Sequence, residues 1–335
     1  MPDGAGGELN IMVDVFITID TEVCPRYPDW RETRLSRDIA RDIAGATHSG
    51  EFGVGYQIEV MNRHGIKGVF FVETLFSFAA GMDLLKRLVR QIEDGGHEVQ
   101  LHLHTEWLKL LEPSPLPGRT GEHLKDFSVD DQTALIELGI RVLKDCGVKD
   151  VRAFRAGNYG ANLDTLKALA RNGIRYDTSH NASYLDSDCD MRDAGMLLGP
   201  SIINDVFEVP ITFFEDRPGH YRHTQLGACS WAEMKHALLE AARTGRKTFV
   251  IVSHSFELTW DRWQNERLPR PDHTVIRRFT RLCQFLAENR DTFRTVGFND
   301  LDGCDTSLNG SATMLRSGMH RTIWRMAEQL KRRVF

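Results

Sequence analysis

The 335-residue chain has no apolar run that approaches the roughly 20 residues needed to cross a bilayer. Its opening residues, MPDGAGGELNIMVDVF, lack the basic region and the apolar stretch of a secretion signal. The six cysteines are scattered without CxxC spacing, which is typical of reduced intracellular thiols rather than a disulfide framework. Together these absences predict a cytoplasmic protein.

An excess of positive charge is also missing. The formal net charge is −5, which argues against nucleic acid as a partner. The hydrophobic content of 41% and the charged content of 27% are those of an ordinary globular protein. No internal repeat or low-complexity tract divides the chain, and its length accommodates an α/β barrel of about 250 residues.

Strand-like and helix-like patterns alternate along most of the chain. KGVFFVETL (67–75) reads as a strand, and the apolar spacing of the next segment predicts a helix that ends at a Gly-Gly pair. Such alternation predicts parallel strands covered by helices and closed into a barrel, with the site at the carboxyl ends of the strands. We expect a disordered N-terminus (1–10), an α/β barrel (11–300) and a tail with an amphipathic basic helix (301–335).

The stretch VQLHLHTEW (99–107) places two histidines two positions apart in a predicted strand. Residues i and i+2 of a strand point to the same face, so His102 and His104 project together, and Glu106 joins them if the extended run continues. Two imidazoles and a carboxylate on one face are typical of a metal site. The alternative is a polar strand end with hydrogen-bonded histidines.

Polar side chains also end other predicted strands. They are Asp20, Glu22, Arg155, Asp177 and His254. Each has an ordinary explanation by itself: a helix cap for Asp20, a surface ion pair for Arg155 and a core hydrogen bond for His254. Taken together they favour one site that performs metal-assisted hydrolysis, with a carboxylate as the base and a histidine as the acid.

These segments, in this order, resemble the polysaccharide deacetylases, which form carbohydrate esterase family four. HGIKGVFFV (64–72), GHEVQLHLHTE (96–106), FRAGNYG (154–160), GIRYDTS (173–179) and VIVSHS (250–255) resemble successive motifs of that family, and TIDT resembles its first motif. The resemblance implies a distorted (β/α)7 barrel, here with a C-terminal helical extension. It also implies a divalent metal, zinc first and cobalt, manganese or nickel as alternatives, and hydrolysis of an N-acetyl or O-acetyl group on a sugar.

The resemblance also implies roles for individual residues. Asp20 matches the base, Arg155 the residue that orients it, and His254 the general acid. Asp177 matches the aspartate that supports the acid, and His102 matches the first metal histidine. The turn at Asn158 and Tyr159 is expected to offer a backbone N–H to the developing oxyanion.

Two positions depart from the family pattern. Thr21 stands where the family has a second aspartate, so Glu22 becomes the candidate carboxylate ligand. Glu106 stands where the family has its second metal histidine, so His104 is expected to supply that nitrogen, with Glu106 as an additional ligand candidate.

The function predicted from the residues and the resemblance is a metal-dependent hydrolase acting on a non-peptide C–N bond in an acetylated sugar, in glycan biosynthesis. A metal-independent amidohydrolase of the same fold and an inactive carbohydrate-binding relative are the alternatives. Trp260 and Trp263 either stack on a sugar at the rim of the site or pack a loop. The tail helix either contacts a membrane surface or docks on the barrel or on a second subunit in a homodimer.

Overall fold

The computed structural model describes residues 12–24, 34–185, 187–260, 268–301 and 312–334. Its central sheet has the strand order β12 (Thr248–His254), β1 (Val13–Thr21), β4 (Val69–Glu73), β5 (Glu98–Leu103), β6 (Ala153–Ala156), β7 (Tyr176–Asp177), β9 (Val206–Glu208) and β8 (Ser201–Ile203), and β15 (Phe293–Thr295) pairs with β1 as well. All of these pairings are parallel except β8 with β9. The predicted α/β architecture is confirmed as a curled sheet covered by helices.

The strands share the short lengths that are usual for a curled sheet of this kind. They are β1 Val13–Thr21, β2 Ala46–Thr47, β3 Gly50–Glu51, β4 Val69–Glu73, β5 Glu98–Leu103, β6 Ala153–Ala156, β7 Tyr176–Asp177, β8 Ser201–Ile203, β9 Val206–Glu208, β10 Phe213–Arg217, β11 His220–His223, β12 Thr248–His254, β13 Thr259–Trp260, β14 Arg270–Pro271, β15 Phe293–Thr295 and β16 Leu315–Arg316.

The helices follow the strands as the alternation predicted. They are α1 Leu35–Asp42, α2 Val54–His64, α3 Ser77–Ala80, α4 Met82–Asp94, α5 Val129–Asp145, α6 Leu163–Arg171, α7 Trp231–Arg243, α8 His273–Glu288 and α9 Met319–Val334. Within α4 the buried side chains are Leu85, Leu88, Val89 and Ile92, which form one helical stripe. The same periodicity identified this helix in the sequence.

The barrel is distorted because its sheet does not close through a regular ladder between β9 and β12 in the described residues. A hydrogen bond and an isolated β-bridge connect the two edges instead. Val250 donates its N–H to Thr212 Oγ1 at 2.9 Å, and Gln225 forms an isolated bridge with Val252. This bridging carries Gln225 to the edge of β12, beside the strand end that holds His254.

The tail helix predicted from the sequence is present as α9 and packs against α7 and β10. The five cysteines in the described ranges form no disulfide. None of the helices in the part of the chain given above combines the length and apolar character that crossing a bilayer requires. The N-terminal segment 1–10, predicted to be disordered, lies outside the described residues.

Candidate active site

The carboxyl ends of β1, β5, β6 and β12 bring the predicted polar residues into one place. In the parallel ladders Asp20 lies opposite His254, and His102 lies opposite Arg155. Residues opposite each other in a ladder point to the same face of the sheet, so all four side chains face the barrel interior. The strand register therefore assembles this site.

Glu22, His102 and His104 form a compact cluster of potential metal ligands. Glu22 Oε2 lies 3.2 Å from His102 Nε2 and also contacts His104 Nε2. One donor atom from each of the three residues lies within 4.8 Å of the other two. All three are buried. Glu22 and His104 each stand immediately after the end of a strand, where the chain is still close to the sheet.

The partners of the two Nδ1 atoms of His102 and His104 show which ring nitrogens are available to a cation. His102 Nδ1 lies 2.7 Å from the Arg155 carbonyl oxygen, which can only accept, so Nδ1 carries the proton and Nε2 the lone pair. His104 Nδ1 lies 3.1 Å from Glu106 Oε2, an arrangement that orients metal-bound histidines in other proteins. A carboxylate that faces two imidazole nitrogens is stabilised by positive charge between them, either ring protons or a cation, and this donor set fits a divalent metal.

The electrostatics of the cluster reflect the same convergence. Burial by itself would raise the pKa of Glu22, but the charge of His104 and hydrogen bonds from both histidines outweigh burial and hold it well below its usual value. Burial would lower the pKa of His104, but the charges of Glu22 and Glu106 raise it well above normal. The cluster therefore attracts positive charge.

Arg155 and Asp20 form a buried ion pair beside the cluster. Arg155 Nη1 lies 2.6 Å from Asp20 Oδ1 and 2.9 Å from Thr18 Oγ1. Its Nε donates to the Thr178 carbonyl at 3.2 Å, and its guanidinium lies 4.5 Å from the centre of the Phe71 ring. These contacts fix the guanidinium, which in turn aims the Asp20 carboxylate into the pocket.

His254 is held by a carboxylate that the sequence patterns did not predict. Its Nδ1 lies 2.7 Å from Glu257 Oε2, and Gln225 Nε2 donates to the same oxygen at 3.1 Å. Burial would lower the pKa of His254, but the hydrogen bond and charge of Glu257 raise it. The ring also stacks on Phe256, with centroids 5.0 Å apart. The imidazolium form of His254 is therefore favoured, and its Nε2 is left for another partner.

A cavity of about 250 Å³ joins these groups. Its lining comprises Asp20, Glu22, His102, His104, Ala156, Asn158, Tyr159, Tyr184, Asp188, Gln225 and His254. Asn158 and Tyr159 have φ values of 53° and 57°, a left-handed turn that non-glycine residues adopt only under constraint. The Asp20 carboxylate, the His254 imidazole and the Glu22–His102–His104 cluster therefore face one small cavity.

Comparison with known proteins gives a consistent relationship. A peptidoglycan deacetylase-like protein of Gibberella zeae is 26% identical to the chain over 183 residues, which is 52% of this chain and 47% of that protein. A polysaccharide deacetylase from Mycobacterium smegmatis, described as putative, superimposes with a TM-score of 0.54 over 95% of this chain and 96% of its own, at 16% identity. The chain is thus similar to a deacetylase-like protein in sequence over about half of its length, and to a polysaccharide deacetylase in fold over nearly all of it.

The relationship is distant in several respects. No family model matches the chain. The match spans about half the length of the curated relative. A family 4 carbohydrate esterase from Streptomyces lividans aligns over 88% of this chain and 96% of its own, at 12% identity and a TM-score of 0.44. The superposition on the Mycobacterium smegmatis protein shows the fold alone, so the residue roles must be argued from the geometry of this chain.

Three residues lie away from the positions that the sequence suggested. Asp177 does not support His254: its carboxylate accepts from the Ser179 hydroxyl at 2.7 Å and is adjacent to Glu208, while Glu257 occupies the His254 nitrogen. The reason is that four strands, β1, β4, β5 and β6, lie between β12 and β7 in the order of the sheet. His254 and the carboxylate that contacts it instead come from one chain segment.

Glu106 and Trp260 are the other two residues that lie away from the positions the sequence suggested, and nothing further tests their roles. Glu106 lies in a 3₁₀ turn, Thr105–Lys109, that breaks the extended run. It therefore contacts the far nitrogen of His104 instead of pointing with the ligand nitrogens, and it accepts from Asn158 Nδ2 at 2.8 Å. Trp260 stacks with Arg332 at 4.7 Å and lines another cavity, because the β13–β14 hairpin turns it toward α9. Trp263 lies outside the described residues.

Two further carboxylates escaped the sequence patterns. Glu257 follows His254 by three residues in VSHSFE, and the short separation is the only signal that could have indicated it. Glu73 ends β4 and accepts from the backbone of Leu75 and Phe76, each at 2.8 Å. Burial raises the pKa of Glu73 to about 7. This buried carboxylate lies opposite His102 in the β4–β5 ladder and accepts from the His104 backbone N–H at 3.4 Å.

Proposed function

We propose that this protein is a metal-dependent hydrolase that removes an acetyl or similar acyl group from the nitrogen of a sugar or sugar-containing precursor. The observation that carries the proposal is the convergence of the Glu22–His102–His104 cluster, Asp20 and His254 on one cavity. Its relationship to deacetylases supports the same reaction class.

The metal ligands in this proposal are Glu22 Oε2 and the Nε2 atoms of His102 and His104. These residues would hold a divalent cation, zinc first with cobalt, manganese or nickel as alternatives, which would supply Lewis acidity for the acyl carbonyl and would acidify the attacking water. Glu106 and the Arg155 carbonyl hold the two imidazoles in the tautomer that ligation requires.

Asp20 is the proposed general base. Its carboxylate lines the cavity and is held by Arg155, so it is positioned to take a proton from water as the oxygen attacks the acyl carbon. The left-handed turn at Asn158 and Tyr159 borders the same cavity, and we assign its backbone N–H to the developing oxyanion. Water thus adds to the carbonyl at the face where these groups converge.

His254 is the proposed general acid. An amide nitrogen leaves only when it is protonated, and the Glu257 carboxylate keeps His254 in its imidazolium form. When the C–N bond breaks, His254 gives its proton to the departing nitrogen, and Asp20 retains the proton taken from water. The products are a carboxylic acid and a free amine, so atoms and charge balance.

The experiment is hydrolysis of an N-acetylated chito-oligosaccharide by the full chain, before and after chelation and after addition of zinc. We expect activity that chelation removes and zinc restores, with one metal per chain by elemental analysis. Activity that persists in metal-free protein would favour a metal-independent amidohydrolase. Metal-loaded protein that binds the oligosaccharide without hydrolysing it would favour an inactive relative. A place in glycan biosynthesis and a cytoplasmic location remain predictions.

A further inference from the structure

Helix α9 packs on the barrel through its polar face. Arg325 is 5% exposed, and its Nε lies 3.2 Å from Glu233 Oε1. Arg332 Nε lies 2.9 Å from Asp272 Oδ2, and Glu328 pairs with Arg278 at 2.6 Å. Amphipathic helices of globular proteins normally bury the apolar face instead. Ion pairs therefore hold α9 in place, and its apolar side is left outside.

The outward side of α9 carries most of its large apolar residues. Five of the eleven large apolar side chains exposed in the described ranges lie on this helix. They are Met319, Ile323, Trp324, Met326 and Leu330, each 49–65% exposed. Met319, Ile323, Met326 and Leu330 follow a 4-3-4 spacing, so they form one stripe along the helix. A continuous exposed stripe of this kind marks an interaction surface.

Basic residues predominate in the segment that carries the stripe. From Met319 to Phe335 the sequence has five arginines or lysines and one glutamate, in a chain with net charge −5. Barrel carboxylates neutralise Arg325 and Arg332, and three further basic residues, Arg321, Lys331 and Arg333, stand against one glutamate in this segment. Beside the last turns, a cavity of about 440 Å³ is lined by Arg270 and Arg277, and by Arg332 with its partner Asp272. The helix that carries the apolar stripe is therefore basic.

We propose that α9 is a docking surface for an anionic lipid membrane. The apolar stripe enters the boundary between headgroups and acyl chains, Trp324 lies at the headgroup level, and basic residues of the helix that do not pair with the barrel, Arg321 among them, contact lipid phosphates. Charge decides between this occupant and a second copy of the chain, because a symmetric pair would bring two basic helices together. This inference is independent of the proposed reaction.

The test is co-sedimentation of the full chain with vesicles of phosphatidylcholine, alone or mixed with phosphatidylglycerol. We expect binding to the mixed vesicles that weakens as salt is raised, since the Debye length falls from about 10 Å at 0.1 M to about 3 Å at 1 M. The double variant Ile323→Ser/Leu330→Ser should lose about tenfold in binding for each side chain, because each removes an aliphatic group from the lipid.

Matched controls are Phe78→Ser and Leu239→Ser, which remove exposed apolar residues elsewhere on the barrel, 46% and 45% exposed. They should bind vesicles as the unmodified chain does. Thermal unfolding of all variants checks that the fold is retained. Absence of vesicle binding, or equal binding by the double variant, would overturn the proposal. So would a dimer, measured by light scattering without lipid, that only the double variant dissociates.

Discussion

His254 Nδ1 and Glu257 Oε2 lie 2.7 Å apart at the end of β12, so the proposed acid and the carboxylate that charges it belong to one short segment. Gln225, carried to the strand edge by its bridge to Val252, holds the same carboxylate from the other side. The two proposed catalytic residues are therefore held by different partners. Glu257 contacts His254, whereas Arg155, on another strand, contacts Asp20.

Glu257→Gln should shift the alkaline limb of kcat to lower pH. The raised pKa of His254 keeps the acid protonated as pH rises, and loss of the Glu257 charge lowers that pKa. Activity at neutral pH should fall and partly recover on mild acidification. Asp188→Asn is the control, because it removes a charge from the cavity lining while leaving the Glu257 contact intact. A fall in kcat without a shift in the pH profile would contradict the assignment.

His254→Ala should lower kcat by about 10²–10⁴-fold on an N-acetyl substrate, the usual contribution of a general acid. An acetyl ester of a nitrophenol should be much less affected, since its leaving group departs without a proton. The ratio of the two losses in the same preparation is the measurement, so partial unfolding cannot produce it. Equal losses on both substrates would show that His254 does not act as the proton donor.

Glu22→Gln and His104→Ala should each abolish stoichiometric metal binding, because each removes one of three converging donors. Glu106→Gln provides the contrast: it contacts the far nitrogen of His104, so metal affinity should fall only about 10–100-fold. Metal titration followed by calorimetry distinguishes these outcomes. A Glu106 variant that loses metal as completely as the Glu22 variant would make Glu106 a direct ligand.

Asp20→Asn should reduce turnover by about 10²–10⁴-fold while retaining the metal. The amide cannot accept a proton from water, and Glu22 with the histidines still provides the ligand set. Elemental analysis and kcat are measured on the same sample. If Asp20→Asn loses its metal and Glu22→Gln keeps it, the roles of the two carboxylates are exchanged.

Arg155→Met should lower the free energy of unfolding by about 3–5 kcal/mol, because Asp20 is left as a buried charge without its partner. The double variant Asp20→Asn/Arg155→Met should cost less than the sum of the single changes, since it removes both charges. Denaturant unfolding of the four proteins measures the coupling. Strict additivity would show that the two side chains are not energetically coupled.

The period-two alternation of QLHLH was sufficient to predict that His102 and His104 share a face, because strand geometry is local. The helices α4, α5 and α8 were equally predictable from their apolar stripes. The segment 180–230 could not be interpreted, since its strands β8 to β11 are only three to five residues long and carry little periodic signal.

The α/β alternation, the paired histidines and the polar residues at strand ends could be predicted from the residue pattern, because they depend on residues near one another in the chain. Which side chains become partners depended on how the strands pair. The register of β1 with β12 set Asp20 opposite His254, and the turn after β12 made Glu257, rather than Asp177, the partner of the acid. The carboxylates of the barrel likewise decided that α9 buries its charged face, since amphipathicity alone does not specify which side is covered.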